Sequence, residues 1–95
     1  MGLDIKPWDT VEILTSESRI SAYLEEVFEE GDPEHMAIAI GNVARARNMS
    51  AIAKDSGLTR ETIYRAFSKD GNPTLSTLSS VVKALGFQLS IKPIA

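Results

Sequence analysis

Residues 56–67 read SGLTRETIYRAF. Gly57-Leu58-Thr59 has the chemistry of a sharp corner between two helices. A glycine accepts the positive φ that a tight turn demands, a leucine can plug the corner, and a threonine can cap the second helix. Beyond Thr59 the residues divide into two sets. Ile63, Ala66 and Phe67 are apolar or small at helical spacing, whereas Thr59, Arg60, Glu61, Thr62, Tyr64 and Arg65 are polar or amphipathic. Ahead of the corner, Ile52 and Ala53 sit in a short helical stretch, and Ala53 is small enough to let a second helix cross closely. Residues 50–68 therefore read as a helix-turn-helix, whose second helix offers its N-terminal end and outer face to the major groove of DNA.

Each outward residue then has a role. Thr59 caps the helix and can offer a hydroxyl or backbone N–H to a phosphate. Arg60 can donate two bonds to guanine O6 and N7, worth roughly 1–3 kcal/mol of discrimination. Glu61 can accept from a cytosine amino group or orient Arg60 or Arg65, and Arg65 reaches a base edge or the backbone. Tyr64 can bond a phosphate or lay its ring on a thymine methyl. Ser50, Lys54, Lys69 and Asn72 occupy flanking positions, where phosphate contacts position the protein without specifying sequence. An exposed ion-pair face on Arg60, Glu61 and Arg65, with Tyr64 as a packing residue, is the purely structural alternative.

Outward from this corner the chain punctuates cleanly. From Ser16, Ile20, Tyr23, Leu24, Val27 and Phe28 recur at spacings of three and four, with Glu25, Glu26, Glu29 and Glu30 mostly opposite, and Gly31 ends the helix. Asp32-Pro33-Glu34 starts a second helix with a capping carboxylate and a proline at the first helical position. This helix turns Met36, Ile40, Val43 and Ala44 inward and stops near Arg47-Asn48. Ser50 is expected to cap the third helix and Thr59 the fourth. Thr74 caps the fifth, where Leu75, Leu78, Val82 and Leu85 form one stripe. Residues 1–15 are an N-terminal extension, in which WDTVEIL is too short to assign and Trp8 is expected to plug the helical core.

The tail changes period. In FQLSIK (87–92) apolar Phe87, Leu89 and Ile91 alternate with polar Gln88, Ser90 and Lys92, as in a half-buried strand. A strand needs a mate for its backbone groups. Residues 10–14 of the same chain are one; a second copy across a two-fold axis is the other and the expected one, with Phe87, Leu89 and Ile91 as dimer contacts. The fold expected is all-α: one domain over 1–95, five helices and a short C-terminal β-strand paired across a dimer.

Composition narrows the function. The net charge of −3 divides sharply: residues 1–40 carry −8 and residues 41–95 carry +5. The basic half contains the corner, which turns the reading toward a polyanion, and the acidic half suits a cationic partner. No cysteine is present, which excludes disulfides and thiolate metal sites and fits a reducing, cytoplasmic setting. No apolar run approaches the ~20 residues a bilayer requires, and MGLDIKPWD does not read as a secretory leader. His35, the single histidine, has no nucleophile or ligand set around it in sequence. No metal, cofactor or catalytic residue is expected, and the chain does not read as an enzyme.

The run ARNMSAIAKDSGLTRETIYRAFSKDGNPTLSTLSSVVKALGFQLSI, with YLEEVFEEGDPEHMAIAIGNVARARNMS overlapping it upstream, resembles the Xre-type, lambda-repressor-like helix-turn-helix proteins of the HigA-like addiction-module antidote branch. The resemblance spans roughly residues 8–92 and is most specific in GLTRETIYRAFSKDGNP and TLSTLSSVVKALG. It implies a homodimeric antitoxin of a type II toxin–antitoxin module. Such a protein binds double-stranded operator DNA in its own promoter and neutralises a small basic RelE/ParE-like (HigB-type) toxin. By position, Arg60, Glu61 and Arg65 match the base-contacting face of that family's recognition helix, and Thr59 and Thr62 its phosphate side. The sequence departs from repressor relatives after Ser50, where Ala51-Ile52-Ala53 stands in place of the usual glutamine, shifting specificity onto Arg60 and Arg65. The toxin is expected on the acidic first helix at Glu25, Glu26, Glu29 and Glu30. A stand-alone Xre-family repressor and a protein–protein adaptor that no longer contacts DNA are the competing functions.

Overall fold

The computed structural model describes residues 17–94, and the fold there is five helices in succession. They are α1 (Glu17–Glu30), α2 (Pro33–Ala46), α3 (Met49–Ser56), α4 (Arg60–Ala66) and α5 (Leu75–Ala84). Trp8 and residues 10–14 lie outside the described residues.

Local chemistry sets most of the boundaries. Asp32 Oδ1 accepts from the Glu34 N–H at 3.0 Å, and Pro33 opens α2 where a missing N–H carries no penalty. Gly57 closes α3 at φ 76°, and its N–H donates to the carbonyls of Ala53 and Lys54; a side chain at that φ would be strained. Thr59 and Thr74 cap α4 and α5, each hydroxyl accepting from the backbone N–H three residues on, at 3.0 and 3.1 Å. The start of α3 departs from the sequence expectation. Asn48, not Ser50, is the cap: its Oδ1 accepts from the Ala51 N–H at 3.2 Å, and Ser50 is an exposed residue of the first helical turn.

The core is apolar throughout. Ile20 and Leu24 of α1 meet Ala37, Ile40, Val43 and Ala44 of α2, and Met49, Ile52, Ile63, Phe67, Val81, Val82 and Leu85 complete it. α1 packs on α2, α5 packs on α3, and α4 is wedged against α2 and α3. Met36 is half-buried rather than central, its expected place being taken by Ala37. Leu75 also departs from expectation. It is 76% exposed, because the first residue of α5 precedes the helix's approach to α3, and the inward stripe is Leu78, Val81, Val82 and Leu85.

Gly41 allows a close approach of α4's end to α2. A Cβ there would overlap the Phe67 carbonyl oxygen, so glycine in mid-α2 is what admits the C-terminal end of α4.

Among the described residues there is no strand. α5 ends in a turn in which the Gly86 N–H bonds the Lys83 carbonyl and the Phe87 N–H bonds the Val82 carbonyl. Phe87 then packs on the core, while Leu89 and Ile91 face solvent. The alternating tail has no mate among the described residues, and its expected ladder is not formed within them.

Candidate nucleic-acid interface

At about 100° per residue, Arg60, Tyr64, Glu61 and Arg65 fall within an arc of roughly 140° on α4. Ile63 and Ala66 fall outside that arc, on the other side of the helix, and Phe67 is the cap residue at its C-terminal end. Burial follows this division: Ile63 and Phe67 are fully buried, Ala66 is half-buried, and Arg60, Glu61, Tyr64 and Arg65 are exposed. The helix is therefore held by its apolar arc, and both guanidinium groups face away from the core.

Those groups are not consumed by ion pairs. Among the described residues, Lys92 lies 3.8 Å from Glu29, and His35 lies 3.8 Å from both Glu30 and Asp32, contacts that are ion pairs only when the imidazole is protonated. Glu61 pairs with neither Arg60 nor Arg65. An exposed cation without a partner keeps its charge available to an anion.

At the N-terminal end of α4, Thr59 Oγ1 accepts from the Thr62 N–H at 3.0 Å, and the two hydroxyl oxygens are 2.7 Å apart. Two hydroxyl groups carry two protons, and one suffices for the bond between them. The other is left for an outside acceptor. Thr59 is exposed and Thr62 half-buried behind it.

The flanking candidates are also at the surface. Lys54 is in the last turn of α3, Lys69 and Asn72 are in the connection to α5, and Ser50 is on the first turn of α3; all four are exposed. Asp55, Glu61 and Asp70 are the acids of this half of the chain.

Arg45 joins this region although it was not among the residues expected there. From the last turn of α2, its Cζ lies 5.5 Å from the Tyr64 ring centroid, and its Nη2 donates to the Phe67 carbonyl at 3.4 Å. Gly41 and Arg45 stand four apart in α2, but their partners at α4 are not legible in that spacing. Residues four apart share a helix face, and the absent Cβ of Gly41 makes room for the stretch of backbone that Arg45 holds.

On the far side, Glu25, Glu26, Glu29 and Glu30 are all exposed on α1. Glu29 pairs with Lys92 and Glu30 with His35, whereas Glu25 and Glu26 are unpaired among the described residues. No group of three or more His, Asp or Glu side chains there is arranged to hold a metal ion. No described helix is long and apolar enough to cross a membrane.

A family model described as “Probable addiction module antidote protein” matches residues 4–93. A protein of Haemophilus influenzae, described only as “Uncharacterized protein”, is 47% identical over 92 residues, which is 97% of this chain and 95% of that protein. No solved structure gives a significant match.

Proposed function

The chain belongs to the addiction-module antidote family, and from that membership we propose that it is a HigA-like, Xre-type antitoxin that also reads DNA. In this reading α3 and α4 are a helix-turn-helix, the working unit is a homodimer on double-stranded operator DNA, and the operon it represses is its own. Its protein partner is a basic RelE/ParE-like toxin of the HigB type. The function is stoichiometric binding rather than catalysis.

The observation that carries the DNA half is the division of α4 into a buried apolar arc and an exposed arc bearing Arg60 and Arg65 without ion-pair partners among the described residues. In this role Arg60 and Arg65 read base edges, with Glu61 and Tyr64 between them. Thr59 and Thr62 bond a phosphate at the helix start, and Ser50, Lys54, Lys69 and Asn72 fix the register through the backbone. The toxin half rests on family membership and on the exposed glutamates of α1, of which Glu25 and Glu26 present uncompensated charge to a cationic surface.

The decisive experiment titrates the protein against its upstream promoter fragment over a salt series. A dimer neutralising several phosphates loses affinity steeply as salt rises, with a slope of about 0.9 per phosphate contact, and protects half-sites about one helical turn apart. Binding that is flat with salt overturns the DNA reading. Co-expression with a neighbouring reading frame for a small basic protein tests the other half by rescue of growth. Repression without rescue by this chain supports the stand-alone repressor instead. Charge reversal at Glu25, Glu26, Glu29 and Glu30 is expected to weaken toxin binding most at low salt; unchanged affinity removes α1 from the interface.

A further inference from the structure

The C-terminal tail is held at both ends and open in between. At its start, the Phe87 N–H bonds the Val82 carbonyl at 3.0 Å and the ring packs on the core. At its far end, Lys92 Nζ lies 3.8 Å from Glu29 Oε1 on α1. Between them, the backbone of residues 88–91 makes no hydrogen bond to any described residue. Leu89 is 37% exposed and Ile91 is 99% exposed. A shallow, open depression lined by Val82, Lys83, Phe87 and Leu89 runs beside it.

We propose that this segment pairs antiparallel with the same segment of a second copy, in one register, with the two-fold axis passing through Leu89. The inference rests on the homodimer of the preceding reading and deepens it by assigning the pairing. In an antiparallel ladder, residues directly opposite one another share a face. Centred on Leu89, Phe87 meets the partner's Ile91, Leu89 meets the partner's Leu89, and Gln88 meets the partner's Ser90. All three apolar residues then face apolar residues, and the polar ones face each other.

Other registers fail on the same sequence. A slip of one residue puts Phe87 opposite Ser90 or Lys92, apolar against polar along the whole ladder. Centring on Ser90 sets Phe87 against Pro93, which has no N–H to donate. Centring on Gln88 sets Ile91 against Leu85, which is already buried at the end of α5. The chosen register also explains the exposure of Ile91. That side chain is left in solvent by the single chain, and in the pair it reaches the partner's Phe87 and the depression beside it. A second copy, rather than an unrelated strand, is the occupant because the segment complements itself.

A chain without cysteine makes the register directly measurable. Leu89→Cys introduces a single thiol that meets its own copy, so mild oxidation with diamide is expected to give a disulfide-linked dimer on a non-reducing gel. Gln88→Cys and Ser90→Cys are each expected to stay uncrosslinked alone, because the diagonal separation of ~7–8 Å exceeds disulfide reach. Refolded together they form the mixed disulfide. Ile91→Asp is expected to weaken dimerisation at least tenfold in sedimentation equilibrium with an unchanged helical circular-dichroism signal, since Ile91 packs on nothing among the described residues. A wild-type chain that sediments as a dimer while the cysteine variants crosslink through other pairs overturns the register and leaves the homodimer standing. A wild-type chain that sediments as a monomer at tens of micromolar overturns both.

Discussion

Arg45 and Tyr64 belong to different helices and are stacked, the guanidinium carbon of one lying 5.5 Å from the ring centre of the other. The same guanidinium reaches the Phe67 carbonyl. One side chain from α2 thus contacts the outer face of α4 and the backbone at its end. Cation–π contact at an exposed site contributes about 0.5–1 kcal/mol, and the long hydrogen bond adds at most a similar amount. Arg45→Met is expected to lower unfolding stability by about 1–2 kcal/mol, read as a denaturant midpoint shift at constant slope. Arg45→Lys should not restore it, because an ammonium group lacks the planar fork that serves ring and carbonyl together. A wild-type midpoint for Arg45→Met would show that the contact carries no stability.

Gly41→Ala is expected to act with an unusual sign. In most helix interiors this exchange stabilises by about 0.5–1 kcal/mol. Here the added methyl runs into the Phe67 carbonyl oxygen and crowds the Arg45 guanidinium. Overpacking of this kind costs about 1–3 kcal/mol, so the variant is expected to melt below wild type. Differential scanning calorimetry decides the sign.

The cap of α3 offers a paired comparison. Asn48→Ala removes the side chain that bonds the Ala51 N–H and should cost about 0.5–2 kcal/mol. Ser50→Ala removes an exposed hydroxyl from a helical turn and should leave stability within about 0.5 kcal/mol of wild type. Equal effects would place the helix start elsewhere.

For the arginines of α4, stability and recognition are expected to separate. Arg60→Ala and Arg65→Ala should unfold at wild-type denaturant concentrations, since neither packs on the core. In the proposed complex each should lose about 1–3 kcal/mol of preference for operator over unrelated DNA. Lys54→Ala and Lys69→Ala should instead weaken all sequences evenly and reduce the salt slope by about one. Competition binding at two salt concentrations distinguishes the two patterns.

The features legible in the sequence were those governed by neighbours along the chain. Asp32 with Pro33, Gly57, and the threonines at 59 and 74 each act on backbone within four residues, so their roles could be read from spacing alone. The split of α4 followed equally from period, because Ile63 and Phe67 recur on one side. Ser50 misled because Asn48 and Ser50 are both good caps two residues apart, and the choice depends on where α2 lets go. Leu75 fitted the heptad-like spacing of α5, but spacing does not say how far a helix projects beyond the element it packs on. Arg45 escaped for a different reason: its partners lie about twenty positions away and only the packing of α2 against α4 brings them together.

The anchoring of α4 through Ile63 and Phe67 separates folding from the recognition proposed for its outer face. Arg60, Glu61 and Arg65 can be randomised together without opening a cavity or stranding a buried polar atom, so a library confined to those three codons samples new targets on an unchanged frame. Duplicated copies could diverge in what they recognise by the same route, one surface exchange at a time.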